Sequence, residues 1–183
     1  MKTLKTLFIS GYRTSELGVF TEKDPKIQII KKVIKMSLKT YLEEGLEWVI
    51  IGGNLGVEIW AGQISIELKK EYPELHLGIL QPYRDMEKNW NEANQKLLEE
   101  LKLQADFVDS VSHNPYENPS QLKNHTRFLI QHTDGALLVY DEEYPGKTRF
   151  FLQEATQKVS NNHYFLQFIT MDDLQNAVFE DTV

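Results

Sequence analysis

The sequence predicts an α/β protein: a three-layer α/β/α sandwich on a mostly parallel sheet of about six strands. Three observations predict it. Short β-branched and aromatic runs alternate with segments of helical apolar spacing from one end of the chain to the other. The helical segments carry their own start and stop residues. The 183 residues contain no linker, repeat or low-complexity run, so residues 1–183 make one domain.

The first strand is read in "TLKTLFISGYR", ending at Gly11, and an irregular polar segment, "TSELGVFTEKD", follows. The first helix opens at Asp24 as N-cap with Pro25 in the first helical position, and leaves at Gly45. Ile27, Ile30, Val33, Ile34, Leu38, Tyr41 and Leu42 form its apolar face. "LEWVIIGG" is the second strand, and "VEIWAGQISIELKKEYP" is a helix stopped by Pro73. "LHLGILQPY" is the third strand. "DMEKNWNEANQKLLEELKLQA" is a helix with Trp90, Ala93, Leu97, Leu98 and Leu101 on its core side. A short strand "DFVDSVS", a loop with two prolines and the helix "QLKNHTRFLIQHTD" come next. The chain ends with strand "GALLVYD", loop "EEYPGK", helix "TRFFLQEATQKV", strand "YFLQFIT" and helix "MDDLQNAVF". Thr170 and Asp173 are spaced as a capping box before that last helix.

Composition narrows the function. There is no cysteine, which excludes disulfides, thiolate metal sites and cysteine nucleophiles and suits a reducing cytoplasm. The apolar run in "MKTLKTLFISG" is too short for a secretory signal, and no run approaches a membrane span, so no membrane partner is expected. A net charge of −7 argues against non-specific attraction to nucleic acid.

In open α/β sheets, ligands bind beyond the carboxyl ends of the strands. Three strands leave that edge through glycine-bearing turns: "SGYR", "GGNLGVE" and "DEEYPGKT". Gly52, Gly53 and Gly56 lie between a strand and a helix start, where exposed peptide N–H groups and the helix dipole favour an anion. The alternative is a tight turn with close helix–sheet packing. The dinucleotide fingerprint is incomplete, because position 51 is isoleucine. Glu58 stands in the first helical turn. There it either complements the dipole, accepts sugar hydroxyls or, in an enzyme, serves as the catalytic carboxylate. Arg13 can reach across the sheet edge to fork onto a phosphate. Gly146, Lys147 and Thr148 offer a second anion-binding helix start, with Thr148 as a simple N-cap in the plainer reading. A P-loop fails at Asp141, where its first glycine should be. His125 and His132 are read as surface or partly packed, and Asp141, Glu142 and Glu143 as a solvated loop, so no metal site is assigned. The expected ligand is of nucleotide type, with no specific cofactor named.

The stretches "FISGYR", "IIGGNLGVEIWA", "ILQPY" with the following "NW", and "NHTRFLIQHTDGALLVYDEEYPGKTRFFLQEA" together resemble the YpsA-like family. That family is placed in the SLOG superfamily, beside the Smf/DprA and LOG (lysine decarboxylase-like) proteins. The resemblance implies a Rossmann-like fold that binds NAD, ADP-ribose, a nucleotide sugar or a similar ligand. It sets Gly11 and Arg13 on the superfamily's first glycine–arginine turn. Gly52, Gly53, Gly56 and Glu58 fall on its G-G-x-x-G-x-[DE] turn, and Gly135, Gly146 and Thr148 in its later glycine–threonine segment. It further implies a sensing role linked to bacterial cell division and envelope stress, and it allows a homo-oligomer. Two departures, Phe128 after Arg127 and "PGKT" in place of P-G-G-x-G-T, weigh against LOG-type phosphoribohydrolase activity. The competing expectations are hydrolysis of an N-glycosidic or phosphoester bond by Glu58, and DprA-like binding of single-stranded DNA.

Overall fold

A computed structural model describes residues 3–161 and 163–180. Met1 and Lys2, at the start of the N-terminal run, lie outside that range. Among the described residues, six strands alternate with seven helices. They run β1 (Thr6–Gly11), α1 (Thr14–Leu17), α2 (Pro25–Glu43), β2 (Trp48–Ile51), α3 (Val57–Lys69), β3 (His76–Gln81) and α4 (Glu92–Gln104). Then come β4 (Phe107–Ser110), α5 (Ser120–His132), β5 (Gly135–Val139), α6 (Arg149–Val159), β6 (Phe165–Ile169) and α7 (Met171–Glu180). The expected alternation holds, with two differences. The segment after β1 contains a one-turn helix, and α4 begins at Glu92, behind an Asn91 N-cap, rather than near Asp85.

The strands form one sheet in the order β4-β3-β2-β1-β5-β6, and every pairing is parallel. β1 therefore sits centrally, in register with β2 (Phe8 beside Ile50) and β5 (Phe8 beside Ala136). The chain winds outward from β1 to β4, then returns to the other side of β1 for β5 and β6. The switch point lies between β1 and β5, where the connections leaving the two strands depart in opposite directions and open a crevice.

Two apolar layers fix the sheet. On one face, Ile27, Ile30, Ile34 and Leu38 of α2 join Ile59 and Ile64 of α3 and Leu98 and Leu101 of α4, against Leu7, Val49 and Leu77. On the other, Leu129 and Ile130 of α5 and Phe151 and Ala155 of α6 pack on Phe8, Ala136 and Leu138. Burying each such aliphatic side chain contributes about 1.5–3 kcal/mol. The caps act locally. Asp24 accepts the Lys26 N–H at 2.9 Å. Before α7, Asp173 accepts the Thr170 N–H at 2.8 Å, while Thr170 Oγ1 accepts the Asp173 N–H at 3.3 Å, completing the capping box. Among the described residues no helix is long and apolar enough to cross a membrane.

Candidate functional site

The carboxyl edge at the switch point holds a cleft of 530 Å³, within the ~300–1,000 Å³ usual for small-molecule sites. Its walls come from β1, from the turns that follow β1, β2, β3 and β5, and from α3, α5 and α6. Gly11, Arg13, Glu58, Lys147 and Thr148 all line it, so five of the nine sequence-predicted positions meet in one hollow. Gly52, Gly53, Gly56 and Gly146 shape the turns behind it.

The glycine cluster has a local explanation. Gly56 takes φ 104°, and a Cβ there would lie 2.6 Å from Tyr12 O and 2.8 Å from Arg13 Cα. The β2–α3 turn thus rests directly on the β1 turn, backbone against backbone, and Val57 N–H donates to Tyr12 C=O at 3.1 Å. At Gly52 the constraint is chemical. Its N–H donates to Glu58 Oε1 at 2.6 Å, and a Cβ would come 2.7 Å from that oxygen and 3.1 Å from His125 Cε1. The Gly52 amide, expected to face an anion, is engaged by Glu58 instead.

Glu58 is buried and oriented by three donors. Besides Gly52 N–H, Oε2 accepts from Ser10 Oγ at 3.0 Å and from Asn54 Nδ2 at 3.0 Å. A carboxylate offers about four acceptor positions, so about one remains for a molecule in the cleft. A phosphate beside this anion would be repelled, whereas a hydroxyl would be accepted.

Positive charge lines the cleft as well. Arg13 and Lys147 line the cleft, and neither side chain forms an ion pair among the described residues. Thr148, an N-cap in the plainer reading, does stand at the N-cap position of α6, but its backbone is helical (φ −61°, ψ −19°) and its hydroxyl makes no capping bond. That hydroxyl belongs to a buried residue that lines the cleft. One internal anion already lies nearby. Glu16, in α1, accepts the Arg13 N–H at 2.9 Å and the Lys147 N–H at 2.9 Å, tying together the turns on both sides of the switch point. A Cβ at Gly146 would collide with the Glu16 carboxylate, which accounts for that glycine. Two tyrosines complete the β5–α6 turn. The Tyr12 hydroxyl donates to Tyr144 C=O at 2.8 Å and accepts the Asp141 N–H at 3.0 Å, while Tyr140 Oη accepts the Gly146 N–H at 3.3 Å.

Sequence reasoning missed His125. Expected at or near the surface, it is buried on α5, lines the cleft, and donates from Nε2 to Leu80 C=O at 2.6 Å. Burial holds its imidazole below the ordinary histidine range, against the opposing pull of the Leu80 carbonyl and the Glu58 charge. The signal was the i, i+4 series Gln121–His125–Leu129, which faces inward while the more apolar Leu122 and Phe128 are exposed. His132 is exposed as expected, stacked on Phe128 at 3.9 Å. Asp141 is structural, accepting the Glu143 N–H at 3.0 Å and the Met171 N–H at 3.2 Å. Three aromatic residues, Tyr83, Trp90 and Phe150, also line the cleft.

Comparison with known proteins gives a consistent picture. The model of the YspA SLOG family (YpsA) matches residues 7–174. A UPF0398 protein of Enterococcus faecalis is 52% identical over 180 residues, covering 98% of this chain and 100% of that one. The UPF0398 protein YpsA of Bacillus subtilis is 43% identical, covering 98% and 99%. Among solved structures, DNA processing protein A from Helicobacter pylori, studied for its single-stranded DNA binding mode, aligns with a TM-score of 0.54 at 16% identity. That alignment covers 98% of this chain and 74% of that one, and it shows a shared fold.

Proposed function

The chain belongs to the YspA SLOG family, and from that premise we propose that it is a binding module for a phosphate-bearing nucleotide or nucleotide derivative, with a sensing or regulatory output in the cytoplasm. The observation that carries this reading is the mixed charge of the cleft lining. Its lining combines Arg13 and Lys147, which form no ion pair among the described residues, and the Thr148 hydroxyl with the buried, donor-oriented Glu58. Phosphate suits Arg13, Lys147 and Thr148, where the start of α6 adds its dipole. Ribose hydroxyls suit Glu58. The tyrosine and tryptophan of the lining offer faces for a base. The output, by family resemblance, is regulation connected with cell division. Native mass spectrometry of freshly purified protein, followed by calorimetric titration with a nucleotide panel, tests the reading. A nucleotide of fixed mass or a saturable isotherm supports it; absence of binding across the panel ends it.

A second reading is single-stranded DNA binding, favoured by the shared fold with DNA processing protein A and by the aromatics of the lining. The net charge of −7 weighs against it. Fluorescence anisotropy with an oligothymidylate at low and moderate salt separates the two. Binding that weakens steeply with salt supports DNA.

A further inference from the structure

Glu58 has an unexplained neighbour. His125 Cε1 and Glu58 Oε1 both fall within about 3 Å of a single point, the place a Cβ on Gly52 would occupy (3.1 and 2.7 Å). The imidazole and the carboxylate are therefore adjacent in the wall of the cleft. The hydrogen bond to Leu80 C=O fixes the imidazole tautomer, because a carbonyl only accepts, so Nε2 carries the proton. In the neutral ring Nδ1 then holds a lone pair. Among the described residues no group donates to Nδ1, and the residue is only 8% exposed. Burial also favours the uncharged ring, with Glu58 the one charged group acting on it.

Two neighbouring residues of the cleft lining thus each keep an acceptor: the remaining position on Glu58 and Nδ1 of His125. Neither is matched by a donor among the described residues. Two acceptors on neighbouring residues are met by a ligand that presents two neighbouring donors, as a vicinal diol does. We propose that His125 is a ligand-contact residue which, with Glu58, receives the vicinal 2′- and 3′-hydroxyls of a ribose, so that the site selects ribonucleotides over deoxyribonucleotides. This rests on the nucleotide reading above and sharpens it. It also bears on the DNA alternative, since a deoxyribose supplies one hydroxyl fewer.

The test titrates the four ribonucleoside diphosphates and their 2′-deoxy and 3′-deoxy counterparts into the wild type, His125→Leu and His125→Gln. In the wild type, removing either hydroxyl weakens binding about tenfold, the effect of one net hydrogen bond. In His125→Leu one of the two penalties disappears. His125→Gln retains both, because glutamine keeps an N–H for Leu80 and a carbonyl for the ligand. Equal binding of ribo and deoxy forms by the wild type overturns the inference and leaves the nucleotide reading intact, as does an undiminished double preference in His125→Leu. No binding by any diphosphate overturns both. Should the leucine variant not fold, 15N spectra of the wild-type histidines decide. The His125 Nδ1 resonance is that of an unprotonated nitrogen, and it shifts with a ribonucleoside diphosphate but not with one of its deoxy analogues. A resonance indifferent to both refutes the proposal.

Discussion

At Gly56 a single hydrogen stands where any side chain would strike three backbone atoms of the neighbouring turn. The residue also holds a φ of 104°, which L-residues rarely adopt. Gly56→Ala is expected to destabilise the protein by about 3 kcal/mol from backbone strain alone. In a chain of this size that lowers the thermal midpoint by roughly 10 °C; a midpoint within a degree or two of wild type contradicts the packing described. His125 yields a pH prediction. Unfolded, it takes a proton near pH 6.5; folded, burial holds it to a lower value. Below pH 6.5 the unfolded state binds more protons, so this residue's contribution to stability is complete above 6.5 and is lost as pH falls toward the folded value. Urea midpoints at pH 7.5 and 5.5 should drop more for wild type than for His125→Gln, and equal drops contradict the assignment. The sequence made Glu58, Arg13 and the glycines legible because their spacing from strand ends is local. His125 was not, because its burial depends on which face of α5 meets the sheet. That face is chosen by Gln121, which ties the preceding loop through Glu117 N–H (2.7 Å) and Pro115 C=O (3.0 Å), rather than by the most apolar side chains.

Among the elements, α1 is the least conspicuous and organises the most. Its four residues place Glu16 where one carboxylate holds amides from the β1–α1 and β5–α6 turns. Glu16→Ala should raise the hydrogen-exchange rate of the Lys147 amide, with a global loss of about 1–2 kcal/mol for two charge-assisted bonds in a partly exposed setting. Unchanged exchange at Lys147 would show that the turn does not depend on the contact. α1 was not legible as a helix, since a single turn carries no periodicity and its reason for forming lies 131 residues away. The late start of α4 has a similar cause. The segment after β3 turns rather than coils, because Glu87 is engaged by Gln81 Nε2 at 3.0 Å and Lys102 Nζ at 2.8 Å. Longer helices such as α2 were readable from Asp24, Pro25 and the spacing of their isoleucines, all local signals.

For the whole molecule, alternation of strand and helix was enough to give a parallel sheet with helices on both faces. The order β4-β3-β2-β1-β5-β6 was not readable, because it depends on pairings between distant segments. That order makes the site, since it puts β1 beside β5 and so brings Arg13 to the same hollow as Lys147 and Thr148. The two signs of charge in the cleft lining also predict how each responds. Arg13→Ala combined with Lys147→Ala should weaken a nucleoside diphosphate about 100-fold, at roughly 1.4 kcal/mol for each lost charge-assisted contact, and reduce the salt dependence of binding. Glu58→Gln should leave the salt dependence unchanged. The most direct test of the central claim is heteronuclear NMR mapping of a nucleoside diphosphate titrated into the 15N-labelled wild type. The account predicts saturable shifts concentrated at Gly11, Arg13, Asn54, Glu58, Lys147 and Thr148. Shifts centred elsewhere, or none at saturating ligand, would contradict it.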